Sequence, residues 1–165
     1  MLGVDLLVVL VTLGTQKEPF TRLLDAIENS NIKDRIVVQA GHTKYNSSKM
    51  EIFDFIDYDS MSKLEDEADY IITHAGTGSV VGPLKKKKKI IACARLEKYG
   101  EHVDDHQTEL VKVFKDAGFV LEFGEKDNLD DVIKKLESFV PNEYHSNTEN
   151  FKNKLRERIN SYLKK

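Results

Sequence analysis

The stretch with the most evident chemistry is His74-Ala75-Gly76-Thr77-Gly78-Ser79. Two glycines one residue apart let backbone N–H groups come close to an anion, and the hydroxyls of Thr77 and Ser79 add donors. A helix starting there would point its positive end at the same place. The pattern describes a phosphate cradle; the plain alternative is a tight strand-to-helix turn. Spacing removes other readings. A Walker A loop ends in Gly-Lys-Ser/Thr, but Gly82 is followed by Pro83. A nucleophile elbow needs Gly-x-Ser-x-Gly, which Ser79-Val80-Val81 does not supply. Gly76, Gly78 and Gly82 with Glu97 downstream loosely match a dinucleotide fingerprint, but that motif normally follows the first strand.

A second polar cluster is Glu101-His102-Val103-Asp104-Asp105-His106-Gln107, with Glu109 just beyond. Fixed donors and acceptors at a helix start can hold the hydroxyls of a sugar or ribose. His102 and His106 could instead ligate zinc if the segment were helical throughout, and a capped surface helix is the bland option. Gly14-Thr15-Gln16 is either part of the same cleft or a simple turn. Lys85 to Lys89 is either a solvated helix end or a patch for an anionic membrane surface.

These residues need elements to place them. Apolar, β-branched runs at residues 6–13, 35–40, 69–73 and 90–94, with shorter ones at 51–56 and 119–123, read as strands. Between them lie helical patterns. Phe20, Leu23, Leu24 and Ile27 follow Pro19 as the first helical residue. Ser60 caps a helix carrying Leu64 and Ala68. Val80, Val81 and Leu84 follow the glycines. Asp104 or Asp105 caps a helix with Leu110, Val111 and Phe114, ending at Ala117-Gly118. Leu129, Val132, Ile133 and Leu136 mark the next. Phe151, Leu155, Ile159 and Tyr162 mark an amphipathic helix over residues 148–164. Apolar strands alternating with helices predict a doubly wound, Rossmann-like α/β domain with a parallel sheet of about six strands. Ligands in such sheets bind at the carboxyl ends of the strands, where the polar loops fall.

The chain's 165 residues suit one domain, 1–165, not the two that many enzymes close around a substrate. Its 25 basic and 28 acidic side chains give a net charge of −3, and with no basic stripe no nucleic-acid partner is expected. Cys93, the lone cysteine, cannot form an internal disulfide, which fits a reducing cytoplasm. The apolar run at 6–11 is far short of the ~20 residues that span a bilayer.

Four blocks occur in order: Val11-Thr12-Leu13-Gly14-Thr15-Gln16 with Pro19-Phe20; Val38-Gln39-Ala40-Gly41-His42-Thr43-Lys44-Tyr45; Ile72-Thr73 running into the glycine stretch; and Arg95-Leu96 with Lys98-Tyr99-Gly100 running into the second cluster. Together they resemble the carboxy-terminal domain of glycosyltransferase family 28, of the GT-B fold. The likeness extends to donor-binding subunits of split bacterial transferases that build exopolysaccharide and capsule. It extends also to the cytosolic subunit of the eukaryotic two-part transferase acting on a dolichol-linked sugar. Three positions depart from the family. Lysines precede Ile90 where relatives carry a glycine, Ala94 stands for a proline, and Gly82 stands near an acidic residue that many relatives keep.

The resemblance implies a UDP-sugar donor substrate, with no cofactor and no metal. Gly14, Thr15, Gly76, Thr77, Gly78 and Ser79 would lie at the diphosphate, and Glu101, His102, Asp105, His106, Gln107 and Glu109 near the sugar. It implies an inverting hexosyltransferase moving galactose, glucose or N-acetylglucosamine to a lipid-linked saccharide. The acceptor would be held by a membrane-anchored partner subunit, with this chain peripheral at the cytoplasmic face. His74 would also contact the UDP-sugar, in a positioning role ahead of a catalytic one, and no local residue is placed as general base. The competing expectation is a non-catalytic module that binds a nucleotide or sugar nucleotide.

Overall fold

The computed structural model describes residues 5–145 and 148–163. Among them, six strands form one parallel sheet: β1 (Val8–Thr12), β2 (Arg35–Gln39), β3 (Met50–Phe53), β4 (Tyr70–His74), β5 (Lys89–Cys93) and β6 (Leu121–Glu122). The spatial order is β3-β2-β1-β4-β5-β6, with every neighbouring pair parallel. The helices are α1 (Thr21–Glu28), α2 (Tyr58–Glu67), α3 (Thr77–Lys85), α4 (His106–Asp116), α5 (Leu129–Ser138) and α6 (Thr148–Leu163).

Period-2 alternation in the strands builds cores on both faces. Val9 and Val11 of β1 cluster with Leu23, Leu24 and Ile27 of α1 and with Leu129, Val132 and Leu136 of α5. Leu10, between them, joins Ile71 and Ala68 on the other face. There Ile90 and Ala92 meet Val80 and Leu84 of α3 and Val111 and Phe114 of α4. Burying each such aliphatic or aromatic side chain contributes about 1.5–3 kcal/mol, which is why these runs fold as strands buried on both sides.

Several boundaries differ from the sequence expectation. Pro19 lies before α1, whose cap position is Phe20; the Phe20 N–H donates to the buried Thr43 Oγ1 at 2.9 Å. Asp57, not Ser60, caps α2: its carboxylate accepts from the Ser60 N–H at 2.9 Å. β3 and β6 are shorter than the apolar runs because these edge positions pair on one side only. In α6, Leu155 turns toward α4, while Ile159 is 37% exposed. The side chains of Phe151 and Tyr162 and all of residue 164, counted in the expected stripe, lie outside the described residues.

The strand order reverses direction between β1 and β4. Such a switch point leaves a crevice beyond the carboxyl ends of the two strands. Thr12 and Thr73 sit in register there, their hydroxyls hydrogen-bonded at 2.6 Å, so the loops after β1 and β4 leave the sheet side by side.

Candidate functional site

The loop after β4 becomes helix almost at once. Gly76 occupies the cap position of α3, with no side chain capping it and no acidic residue in the first turn. The first intrahelical bond runs from the Val80 N–H to the Gly76 carbonyl at 3.2 Å, so the N–H groups of Thr77, Gly78 and Ser79 precede it and have no helical acceptor. Thr77 and Gly78 are exposed. Helix α1 likewise starts with no side-chain cap and no acidic residue in its first turn, though its Phe20 N–H is taken by Thr43 Oγ1; α2 and α5 differ. Asp57 caps α2 with Asp59 behind it, and Asn128 caps α5 with Asp130 and Asp131 behind it.

The two glycines of the cradle exist for different reasons. A Cβ on Gly76 would come within 2.3 Å of His74 Nε2, and one on Gly14, at φ +76°, within 2.6 Å. At these positions the imidazole fills the space. A Cβ on Gly78 would meet nothing within 4 Å, so the absence of a side chain there leaves the helix start open to an approaching group.

His74 itself is 6% exposed, and burial pushes its pKa down to about 4, opposed by the Thr12 carbonyl and helped by the neighbouring Arg95 charge. Its Nδ1–H donates to Thr12 O at 3.3 Å, leaving the Nε2 lone pair between the glycines. A neutral imidazole of such low basicity is a poor proton acceptor at neutral pH. It acts as a spacer that shapes the loops.

Gly14 is gripped by Gln39, whose Oε1 accepts from the Gly14 N–H at 3.1 Å and whose Nε2 donates to Gly14 O at 3.0 Å and Asp54 O at 3.1 Å. Thr15 is exposed beside it. The Gln16 amide then donates to His102 Nε2 at 2.7 Å, joining the β1 loop to the second polar cluster. His102 Nδ1 lies 3.0 Å from Asp104 Oδ1 and His106 Nδ1 2.7 Å from Asp104 Oδ2. His106 opens α4 while His102 lies in the preceding loop, so the all-helical segment that the zinc reading required does not form. Asp105 holds the cap position of α4 without capping it, its carboxylate accepting instead from the Glu97 N–H at 2.8 Å, and the Asp104 carboxylate accepts from the His106 N–H at 3.0 Å.

Two of the residues expected near the sugar, Glu101 and Glu109, have these surroundings. The Glu101 carboxylate is 3% exposed and is committed to Arg22, at 2.8 and 2.9 Å, and to the Leu96 N–H at 2.9 Å. Its oxygens brace the loop from within, because a buried carboxylate needs paired donors. Glu109 lines a groove of about 250 Å³ between α4 and α6, with His106, Leu110, Leu155 and Ile159. Gln107 is buried, its Oε1 accepting from the Arg95 N–H at 3.0 Å.

The bracing residues Arg22, Gln39 and Arg95 were not singled out as site residues. Arg95 is 1% exposed; it donates to Glu18 O and Leu13 O at 2.7 Å and to Glu101 O at 3.0 Å, its guanidinium 4.8 Å from the Phe20 ring centroid. Burial lowers its pKa to about 10, partly offset by Glu101 and Glu18. An arginine directly after a fully apolar strand is the signal that marks it in the sequence.

The lysine run is largely spent inside the fold. Lys86 Nζ bonds Ser62, Glu65 and Asp66. Lys88 Nζ donates to Asp66 O and Ala68 O, and Lys89 Nζ to Leu136 O and Glu137 O. It lies at the pole opposite the glycine loops, leaving Lys85 and Lys87 exposed.

Comparison with known proteins identifies the family and the fold. The family profile of the Glycosyltransferase family 28 C-terminal domain matches residues 8–162. The UDP-N-acetylglucosamine transferase subunit ALG13 of Candida albicans is 29% identical over 119 residues, covering 72% of this chain and 36% of that protein. Its counterpart in Debaryomyces hansenii is 28% identical over 113 residues, covering 68% of this chain and 52% of that protein. The chain thus spans between about a third and a half of the length of these relatives. Among solved structures, that of ALG13 aligns with a TM-score of 0.59 at 19% identity, covering 90% of this chain and 94% of that one. Acinetobacter baumannii MurG aligns with a TM-score of 0.53 at 21% identity, covering 82% of this chain and 41% of that one. The fold is that of the carboxy-terminal half of GT-B glycosyltransferases, and the chain belongs to the glycosyltransferase family 28 C-terminal domain.

Proposed function

We propose that this chain is the donor-binding subunit of an inverting glycosyltransferase, taking a UDP-sugar at the crevice between the β1 and β4 loops. The observation that carries the reading is the bare, exposed start of α3 in a chain of this family. The diphosphate sits on the N–H groups of Thr77, Gly78 and Ser79 with Gly14 and Thr15 opposite, and the transferred hexose extends toward His102, Asp105, His106 and Gln107. The carboxamide nitrogen of Gln107 has no hydrogen-bond partner among the described residues and supplies a donor for that sugar.

As an acceptor hydroxyl attacks the anomeric carbon in line, negative charge grows on the departing UDP. Preoriented N–H groups and the helix dipole stabilise it; one such donor is typically worth about a hundredfold or more in rate. Among the described residues none is assigned as general base: His74 is a neutral spacer, Glu101 is braced inside, and His102, Asp105 and His106 are given to the sugar. The base and the lipid-linked acceptor therefore belong to a membrane-anchored partner. In this proposal attachment runs through that partner, in exopolysaccharide or capsule synthesis; among the described residues no helix is long and apolar enough to cross a membrane. Part of α6 contributes to the interface in this reading, and truncation after Tyr144 is expected to weaken complex formation, an unchanged complex counting against it.

The test is calorimetric binding of UDP and UDP-N-acetylglucosamine, then transfer to a lipid-linked acceptor on co-expression with the partner. Binding together with partner-dependent transfer supports the reading. Binding with no effect on transfer would reduce the chain to a sugar-nucleotide module, and absence of UDP binding would remove the donor site.

A further inference from the structure

Helix α6 stands apart from the rest of the domain in both packing and charge. Among its described side chains from Glu149 on, all are exposed except Leu155, which is partly covered. Two clefts run along it. One, of about 250 Å³, separates Leu110 and Val113 of α4 from Leu155 and Ile159; the other, of about 550 Å³, lies between Phe119 and Lys154. Well-packed helices leave few gaps larger than a water molecule. Helices in proteins draw most of their stability from burying an apolar face, and the apolar side of α6 is not sealed against its own domain.

The charge is segregated in the same way. Residues 148–165 hold six basic and two acidic side chains (+4), against 19 basic and 26 acidic (−7) in residues 1–147. None of Lys152, Lys154, Arg156 and Arg158 has an ion-pair partner among the described residues. At about 100° per residue, Lys152 and Arg156 flank the Leu155–Ile159 side on one edge, and Lys154 and Arg158 flank it on the other. Cations on both edges of an apolar strip suit a fluid anionic surface. Lysine and arginine stems lie along the apolar edge there while their charged heads reach the phosphates.

We propose that α6 lies in the headgroup layer of an anionic bilayer, its apolar side toward the acyl chains and Lys152, Lys154, Arg156 and Arg158 on lipid phosphates. One such signal binds reversibly and stable anchoring takes two, so this contact adds to attachment through the partner and does not replace it. The inference stands independently of the donor-site reading.

The experiment is co-sedimentation of the purified chain, without any partner, with vesicles of phosphatidylcholine alone and of equimolar phosphatidylcholine and phosphatidylglycerol. The wild type is expected to bind the mixed vesicles only, and to be released when salt rises from about 0.1 M to about 1 M and the screening length falls from about 10 Å to about 3 Å. Each basic residue at such a surface contributes about fivefold, so Lys152→Gln with Arg156→Gln should weaken binding about thirtyfold. Ile159→Gln should weaken it at least severalfold at unchanged charge. Lys85→Gln with Lys87→Gln removes the same charge from the exposed end of α3 and should bind as the wild type does. All the substituted side chains are exposed, so thermal midpoints should stay together. No binding to the mixed vesicles, or equal binding to both kinds, overturns the proposal. So does an undiminished Lys152/Arg156 variant, an undiminished Ile159→Gln, or an equal loss in the Lys85/Lys87 variant.

Discussion

The two ends of α3 are finished in opposite ways. At its start, Gly76 provides no cap, Gly78 leaves space and no acidic residue enters the first turn. At its end, Lys86, Lys87 and Lys88 fold back with N–H bonds to Pro83 O, Leu84 O and Pro83 O at 3.0, 3.0 and 3.1 Å. Lys87 takes φ +59° to do so, and the side chains of Lys86, Lys88 and Lys89 bond neighbouring helices and their ends. Orphan N–H groups at one end and satisfied carbonyls at the other are the contrast on which the proposed donor site rests.

Putting a charge at the open end should have the largest effect. Gly78→Asp gives α3 the acidic first turn that α5 already has. UDP affinity should fall about a hundredfold or more, from direct repulsion beyond the usual dipole term, with the thermal midpoint unchanged or raised. Because Gly78 is exposed, the new carboxylate is solvated and the fold survives. Arg22→Ala attacks the scaffold that keeps this end open. It strands the buried Glu101, and urea titration should show a loss of about 3 kcal/mol, at the low end for a broken buried pair because Arg22 is 25% exposed.

The spacer between the loops has a pH signature. The folded-state pKa of His74 lies at about 4, below its ordinary 6.5, so between those values the unfolded chain binds a proton that the folded chain does not. Its stabilising contribution is complete above about pH 6.5 and is lost as pH falls toward 4, amounting to about 2–3 kcal/mol. Urea titrations at pH 7 and 4.5 should show that fall in the wild type beyond whatever His74→Gln shows. The smallest effect belongs to the closed end. Lys87→Gly relieves a left-handed lysine and should raise stability by about 0.5–1 kcal/mol with UDP binding unchanged.

Much of this architecture was legible in the sequence. The apolar runs gave the strands because both faces of the sheet are covered, and Gly76-x-Gly78 marked the helix start. What local pattern could not separate was the setting of each glycine: Gly14 and Gly76 make room for His74, whereas Gly78 faces open space, where the proposed diphosphate would sit. Glu101 looked like a cleft residue because its partner, Arg22, is 79 positions away. The lysine run looked like a free patch because the carbonyls it satisfies belong to α2 and α5, which sequence proximity does not reveal. The glycine expected before Ile90 has a physical counterpart: Lys87 occupies the left-handed conformation that a glycine would take without strain.

The central claim is that the start of α3 is the anion site. Amide chemical shifts followed during UDP titration of the isotope-labelled chain test it most directly. Thr77, Gly78 and Ser79 should move first and farthest, with Gly14 and Thr15 following, while the capped start of α5 at Asn128 to Asp131 stays still. Saturable binding that moves the α5 start or the lysine end of α3, and leaves Thr77 to Ser79 in place, would contradict the account.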